Sequence, residues 1–269
     1  MGALDIIDLS KSFGGLNAVQ SLSFSVSEGA IHALIGPNGA GKTTVLNCIS
    51  RFYDADAGQI LFNGKDMLRR RDYDIAGSGI ARTFQNLEIF GDLTVFENVL
   101  TARFQFMRAS VIENMLRLPR SRREEQENRG RVEEILSLVG LDTLANHRSG
   151  DLPYGQQKLV ELARAMALEP RLLLLDEPAS GRNNEEVGHL GQILVRVRKL
   201  LDATILLVEH NMSLVMAISD WITVMHYGRF LAEGTPGDIE SNPEVIEAYL
   251  GKGYRPRRGG TTDARDSSP

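Results

Sequence analysis

Cysteine is almost missing from this chain: Cys48 is the only one in 269 residues. An internal disulfide and a cysteine metal cluster are therefore excluded, which fits a reducing compartment. Long apolar runs are missing too. No stretch reaches the roughly 18 apolar residues that a membrane-spanning helix needs. The segment Met1–Asp5 lacks the basic and apolar regions of a signal peptide. Ile6 stands where a myristoylation signal wants Ser or Thr. Any membrane role is thus expected to run through a partner. Positive charge is not in excess either: the net charge of −5 argues against a general nucleic-acid binder. What is present, 42% hydrophobic and 24% charged residues, suits an ordinary globular core in one large or two small domains. There are no internal repeats.

The richest segment is Gly36-Pro37-Asn38-Gly39-Ala40-Gly41-Lys42-Thr43-Thr44. It fits the phosphate-binding pattern G-x-x-x-x-G-K-[ST]. Its glycines let successive backbone N–H groups converge on phosphate oxygens. Lys42 is of the type that reaches β- and γ-phosphates, and Thr43 of the type whose hydroxyl binds Mg²⁺. The apolar run Ile31–Ile35 ahead of the loop reads as a buried strand. Behind it Val45, Leu46 and Ile49 share one helical face, so a helix N-terminus faces the anion. Cys48 lies in this helix and reads as a small core residue.

Around the loop, Ser21–Val26 alternates as a half-buried strand, and Gln59–Phe62 leads into the Asn63-Gly64 turn signal. From about residue 94 the pattern becomes helical. Thr94 and Glu97 have capping-box spacing, and Val132, Ile135, Leu136 and Val139 form a stripe closed by Gly140. The Arg- and Glu-rich stretch from Arg117 to Arg131 reads as a solvated face, with a partner-docking surface as the alternative. Leu172–Leu175 and Thr204–Val208 then read as buried parallel strands with a helix at about 185–201 between them. Trp221–Met225 reads as a further strand, and Pro243–Leu250 as a short helix. The tail from Gly251 onward lacks periodicity and is expected to be disordered.

Asp176-Glu177 closes the leucine-rich strand. A carboxylate there is placed to hold Mg²⁺ beside a phosphate loop, and a second one can act as general base toward water. Shortly before that strand, Leu152-Pro153-Tyr154-Gly155-Gln156-Gln157 opens a helix. This segment resembles the signature motif of ATP-binding cassette (ABC) ATPases, Leu-Ser-Gly-Gly-Gln. Other landmarks of that family follow in order over roughly residues 3–251. Phe13 resembles the aromatic residue that stacks on adenine, Gln85 the Q-loop glutamine, and His210 the switch histidine. Ala179-Ser180-Gly181-Arg182-Asn183 occupies the D-loop position.

The resemblance implies an α/β fold: a P-loop ATPase with a β-rich subdomain, a RecA-like parallel-sheet core and an inserted helical subdomain. The nucleotide-binding domain would span residues 1–251, with the helical part at about 87–160 and a tail at 252–269. It implies ATP and Mg²⁺, with Thr43, Gln85 and Asp176 at the metal and Glu177, His210 and Gln85 in hydrolysis. Phe13, the loop Gly36–Thr44, and Tyr154, Gly155 and Gln156 would bind nucleotide, the last three on a second ATPase subunit arranged head to tail. Two membrane permease subunits would dock at about Gln85–Asn98, placing the chain peripherally on the cytoplasmic face of the membrane. Two departures stand out: Pro153 and Tyr154 replace Ser and Gly of the signature, and Arg182 stands where the D-loop usually has Leu.

Within the family the chain is most similar to the larger ATPase subunit of branched-chain amino-acid importers. Phe13–Leu16, Gly79–Asn86, Leu152–Gln157, Ala232–Pro236 and Val245–Gly251 carry that likeness. That branch also includes urea and short-amide importers. It implies a heterodimer with a second ATPase chain and, indirectly, an extracytoplasmic substrate-binding protein. The alternatives are a catalytically weak regulatory subunit and a soluble ABC ATPase acting on nucleic acid or ribosomes.

Overall fold

The computed structural model describes residues 2–70, 75–84, 87–107 and 118–250. Gln85, in the segment expected to form the Q-loop, and the tail from Gly251 onward lie outside them.

An antiparallel sheet is built from β1 (Leu4–Phe13), β2 (Leu16–Val26), β4 (Ala57–Phe62) and β5 (Lys65–Asp66), in the order β2-β1-β4-β5. The alternation in Ser21–Val26 is half of a hairpin whose other half is β1, paired from Leu4↔Val26 to Phe13↔Leu16. Leu4, Ile6 and Leu9 of β1 are buried.

The second sheet holds β3 (Ile31–Ile35), β6 (Ile80–Arg82), β7 (Leu172–Asp176), β8 (Thr204–Val208), β9 (Trp221–His226) and β10 (Arg229–Gly234). Its order is β10-β9-β3-β8-β7-β6. The pairs β6–β7, β7–β8, β8–β3 and β3–β9 are parallel, and β10 runs antiparallel to β9. Every residue of β3, β7 and β8 is buried. Unbroken apolar runs are what a parallel strand covered on both faces requires.

The helices are α1 (Lys42–Ile49), α2 (Val95–Arg103), α3 (Pro119–Val139), α4 (Tyr154–Ala167), α5 (Asn184–Leu201), α6 (Met212–Ile218), α7 (Pro236–Ser241) and α8 (Pro243–Leu250). The Thr94/Glu97 capping box starts α2, and Gly140 ends α3 at φ 73°. On α3, Arg123–Glu127 (3.0 Å) and Arg129–Glu125 (3.3 Å) pair at i,i+4 on an exposed surface. Such pairs contribute only about 0.2–0.5 kcal/mol each, as a solvated face does.

Strand alternation divides the core. Leu173 and Leu175 of β7 and Ile205 and Leu207 of β8 pack with the apolar faces of α2, α3, α4 and α5. Their neighbours Leu172, Leu174, Leu206 and Val208 pack on the other side with α1 and the antiparallel sheet. A third cluster joins Ala33 and Ile35 of β3 to Val215, Ile222, Val224 and Ile239. The loops after β3, β7 and β8 consequently emerge together at the carboxyl edge of one rigid sheet, the usual place for a ligand in an open α/β sheet.

Candidate functional site

The loop Gly36–Thr44 runs from the end of β3 into α1. Gly41 has φ 97°, and a Cβ there would lie 2.3 Å from the Ala18 carbonyl oxygen. Gly36 has φ 155°, with the Met225 carbonyl oxygen 2.2 Å from where its Cβ would be. Only glycine fits these approaches. Ala40 is buried, and its carbonyl accepts from Gly228 N–H at 3.1 Å, pinning the loop to the β9–β10 turn. The Lys42 ammonium donates to the carbonyls of Gly36 (2.8 Å) and Pro37 (3.1 Å), so it spans the loop. Burial lowers its pKa, while the carboxylates of Glu177 and Asp176 pull the other way. No side chain caps the start of α1, in contrast to the capping boxes of α2, α5 and α7. Its first N–H groups are thus available to an anion.

A cleft of about 580 Å³ opens over this loop. Asn38, Gly39, Gly41, Lys42, Thr43 and Thr44 line its floor, with Phe13, Glu177 and His210 around it. The Phe13 ring meets Tyr53 edge-on at 5.0 Å, an aromatic partner 40 positions along the chain.

Glu177 follows β7 at φ 49°, in the left-handed region. A side chain with a Cβ there costs about 1–2 kcal/mol, and the fold holds it in place. Its N–H donates to the Val208 carbonyl at 2.9 Å, tying the ends of β7 and β8 together. The carboxylate turns into the cleft, with Oε1 3.6 Å from His210 Nδ1. Behind His210, the fully buried Glu209 accepts from the N–H groups of Ala179 (2.7 Å), His210 (3.0 Å) and Asn211 (3.1 Å). One carboxylate therefore fixes both loops.

Asp176 ends β7 and is buried. Its Oδ2 accepts from Arg82 Nη2 at 3.1 Å, and Arg82 Nη1 donates to Asn47 Oδ1 and Ser50 Oγ, both at 2.7 Å. Burial raises the Asp176 pKa, with the Arg82 guanidinium opposing. The Asp176 Oδ1 atom is buried without a hydrogen-bond partner among the described residues.

Tyr154, Gly155 and Gln156 form the first turn of α4 and do not line the cleft. Within one chain, then, the loop, Asp176, Glu177 and His210 come together, while this turn faces elsewhere. The helix is nevertheless tied to the residues around it. Lys158 Nζ donates to the Phe84 carbonyl at 2.8 Å, and Glu161 Oε1 accepts the Phe84 N–H at 2.7 Å. Arg82, Glu209, Lys158 and Glu161 join the sequence-predicted residues around the site. A visible signal was there for the last two: charges set among Leu159, Val160 and Leu162 on an apolar helix.

A second cleft, of about 410 Å³, is lined by Phe84, Glu88, Phe90, Thr101, Arg164 and Leu168, among others. Phe90 is half exposed there, with the Arg164 guanidinium 4.9 Å from its ring centre. A larger groove of about 940 Å³ between α5 and α6 holds none of the residues singled out above. No helix among the described residues is long and apolar enough to cross a membrane.

Known proteins resemble this chain over most of its length. Residues 19–180 match the family described as ABC transporter, and residues 231–255 the one described as branched-chain amino acid ATP-binding cassette transporter. The high-affinity branched-chain amino acid transport ATP-binding protein BraF of Pseudomonas aeruginosa is 42% identical over 249 residues, covering 93% of this chain and 98% of its own. The protein LivG of Escherichia coli, named as having the same role, is also 42% identical with the same coverage. Among solved structures, the ADP conformation of an ATP-binding cassette of an ABC transporter superimposes with a TM-score of 0.80 at 30% identity. That match covers 94% of this chain and 100% of the other.

Proposed function

The chain belongs to the ABC transporter ATP-binding family, and from that premise we propose that it is the ATP-hydrolysing motor of an importer for branched-chain or other aliphatic amino acids. The observation that carries this reading is the cleft in which Glu177 and His210 stand beside Lys42 at the ends of β3, β7 and β8. The names of the relatives supply the substrate class.

In this reading residues 1–251 are one nucleotide-binding domain. Phe13, backed by Tyr53, stacks on adenine. The N–H groups opening α1 and the Lys42 ammonium hold the β- and γ-phosphates. Thr43 and Asp176 would hold Mg²⁺, joined by Gln85. The unpartnered Asp176 Oδ1 and the Thr43 hydroxyl in the cleft are the hard oxygen donors that suit it. When bound, the ion neutralises phosphate charge. Glu177 takes the proton of the attacking water, and His210 beside it responds to the γ-phosphate.

Tyr154, Gly155 and Gln156 serve a nucleotide on a second ATPase subunit, in a head-to-tail dimer that is a heterodimer. That they do not line this chain's own cleft supports the head-to-tail arrangement. The groove at Phe84 and Phe90 receives one of two membrane permease subunits, which holds the chain on the cytoplasmic face of the membrane. An extracytoplasmic binding protein reads the substrate.

The test is uptake of labelled leucine, with labelled urea in parallel, in cells lacking this chain and complemented with wild type or Glu177→Gln. ATP turnover by the purified transporter is measured alongside. Loss of the general base should lower turnover about 10²–10⁴-fold, and only wild type should restore leucine uptake. Wild-type turnover by Glu177→Gln would refute the base assignment. Lost urea uptake with normal leucine uptake would keep the motor and change the substrate.

A further inference from the structure

Arg182 is the departure in the D-loop that the reading above leaves unused. Its side chain bridges two segments. Nε donates to the Pro178 carbonyl at 3.3 Å, and Nη2 donates to the Gly155 carbonyl at 2.7 Å. Pro178 directly follows Glu177, and Gly155 lies in the first turn of α4. The Pro178 end is firmly held, because the flanking Glu177 and Ala179 N–H groups are bound to Val208 and Glu209. The α4 end has no side-chain cap of its own, and the Tyr154 ring packs over Gly181 in the same loop.

The contact is held against opposing forces. Burial lowers the Arg182 pKa, with Glu186 opposing. A cation beside the first turn of a helix also runs against the helix dipole, a cost that an anionic phosphate at that turn would offset. Leucine at this position offers neither donor. We propose that Arg182 is a positioning residue that links the hydrolytic carboxylate of its own subunit to the turn presented to the partner's nucleotide, so that the two sites turn over in step. This rests on the proposed role of α4 across the dimer. A displacement of the Glu177–Pro178 segment is passed through one rigid guanidinium to Gly155, and so to the donors around it.

Wild type, Arg182→Met and Arg182→Lys are compared in the purified transporter and as isolated full-length subunits. Arg182→Met keeps the length of the side chain and removes both donors. Binding of a fluorescent ATP analogue to the isolated subunit should stay within about twofold of wild type, because no group lining the cleft is altered. In the transporter, kcat should fall about tenfold or more, the scale that misplacement of a reacting group produces. The Hill coefficient for ATP should exceed one in wild type and fall toward one in Arg182→Met, with Arg182→Lys intermediate. The proposal is overturned by a wild-type Hill coefficient of one, by unchanged kcat and cooperativity in Arg182→Met, or by an equal loss of nucleotide binding in the isolated subunit. If Glu177→Gln abolishes turnover while Arg182→Met changes nothing, the link fails and the motor reading stands.

Discussion

Replacing Glu161 by leucine should destabilise the protein more than replacing Glu161 and Lys158 together. Both side chains are buried, at 6% and 5% exposure, with Nζ 3.2 Å from Oε2. Between them they clasp the backbone of Phe84 through its N–H and its carbonyl. Glu161→Leu removes the carboxylate facing a buried ammonium and strips the Phe84 N–H of its acceptor. Breaking a buried pair in this way costs about 3–5 kcal/mol. In Lys158→Met/Glu161→Leu both charges are gone and the volume is nearly kept. What remains includes the loss of the bonds to Phe84, about 1–3 kcal/mol. The double variant should therefore be about 2 kcal/mol more stable than Glu161→Leu, and far from the sum of the two single losses. Thermal unfolding of the four proteins by circular dichroism reads this directly. A kcal/mol moves Tm by about 2–4 °C in a chain of this size, so Glu161→Leu should melt about 10 °C lower. A single variant within about 1 kcal/mol of wild type, or a double variant that is merely additive, would refute the reasoning.

Other expectations concern single positions. His32 is buried, its ring nitrogen Nε2 lies 2.9 Å from Thr223 Oγ1, and burial lowers its pKa from 6.5 to about 4. The unfolded chain takes up the proton first, so the contribution of His32 is full above pH 6.5 and is lost as pH falls through 6.5 toward 4. Between pH 7 and pH 5 that loss is about 2 kcal/mol. Urea unfolding of His32→Gln should lack it, and an equal pH dependence in both proteins would count against the assignment. Gly41→Ala places a Cβ 2.3 Å from the Ala18 carbonyl oxygen at φ 97°. The backbone strain alone is about 1–2 kcal/mol, so both Tm and ATP affinity should drop. Wild-type affinity would mean that the loop relaxes without losing its phosphate cradle.

Much of the molecule was legible because it is local or periodic. The loop Gly36–Thr44 carries its own backbone demands. Short unbroken apolar runs read as strands covered on both faces, as β3, β7 and β8 are. Thr94 with Glu97, and Gly140, mark helix ends through bonds made within a turn. The order of motifs points to Asp176, Glu177 and His210 as partners of the loop, and Glu177 and His210 line the cleft above it. What it left open are contacts decided by which strands lie side by side. Arg82 reaches Asp176 across 94 positions because β6 pairs with β7. Glu161 holds Phe84 across 77 positions because α4 packs beneath that strand's exit. Arg182 meets Gly155 across 27 positions because the loop after β7 turns back over α4. The left-handed backbone of Glu177 belongs with these, since it is tolerated only where neighbouring strands hold it. Chain spacing determines which groups exist and which element carries them. Sheet order and packing alone bring distant charges within bonding distance, because a hydrogen bond depends on positions in space and leaves no period along the chain.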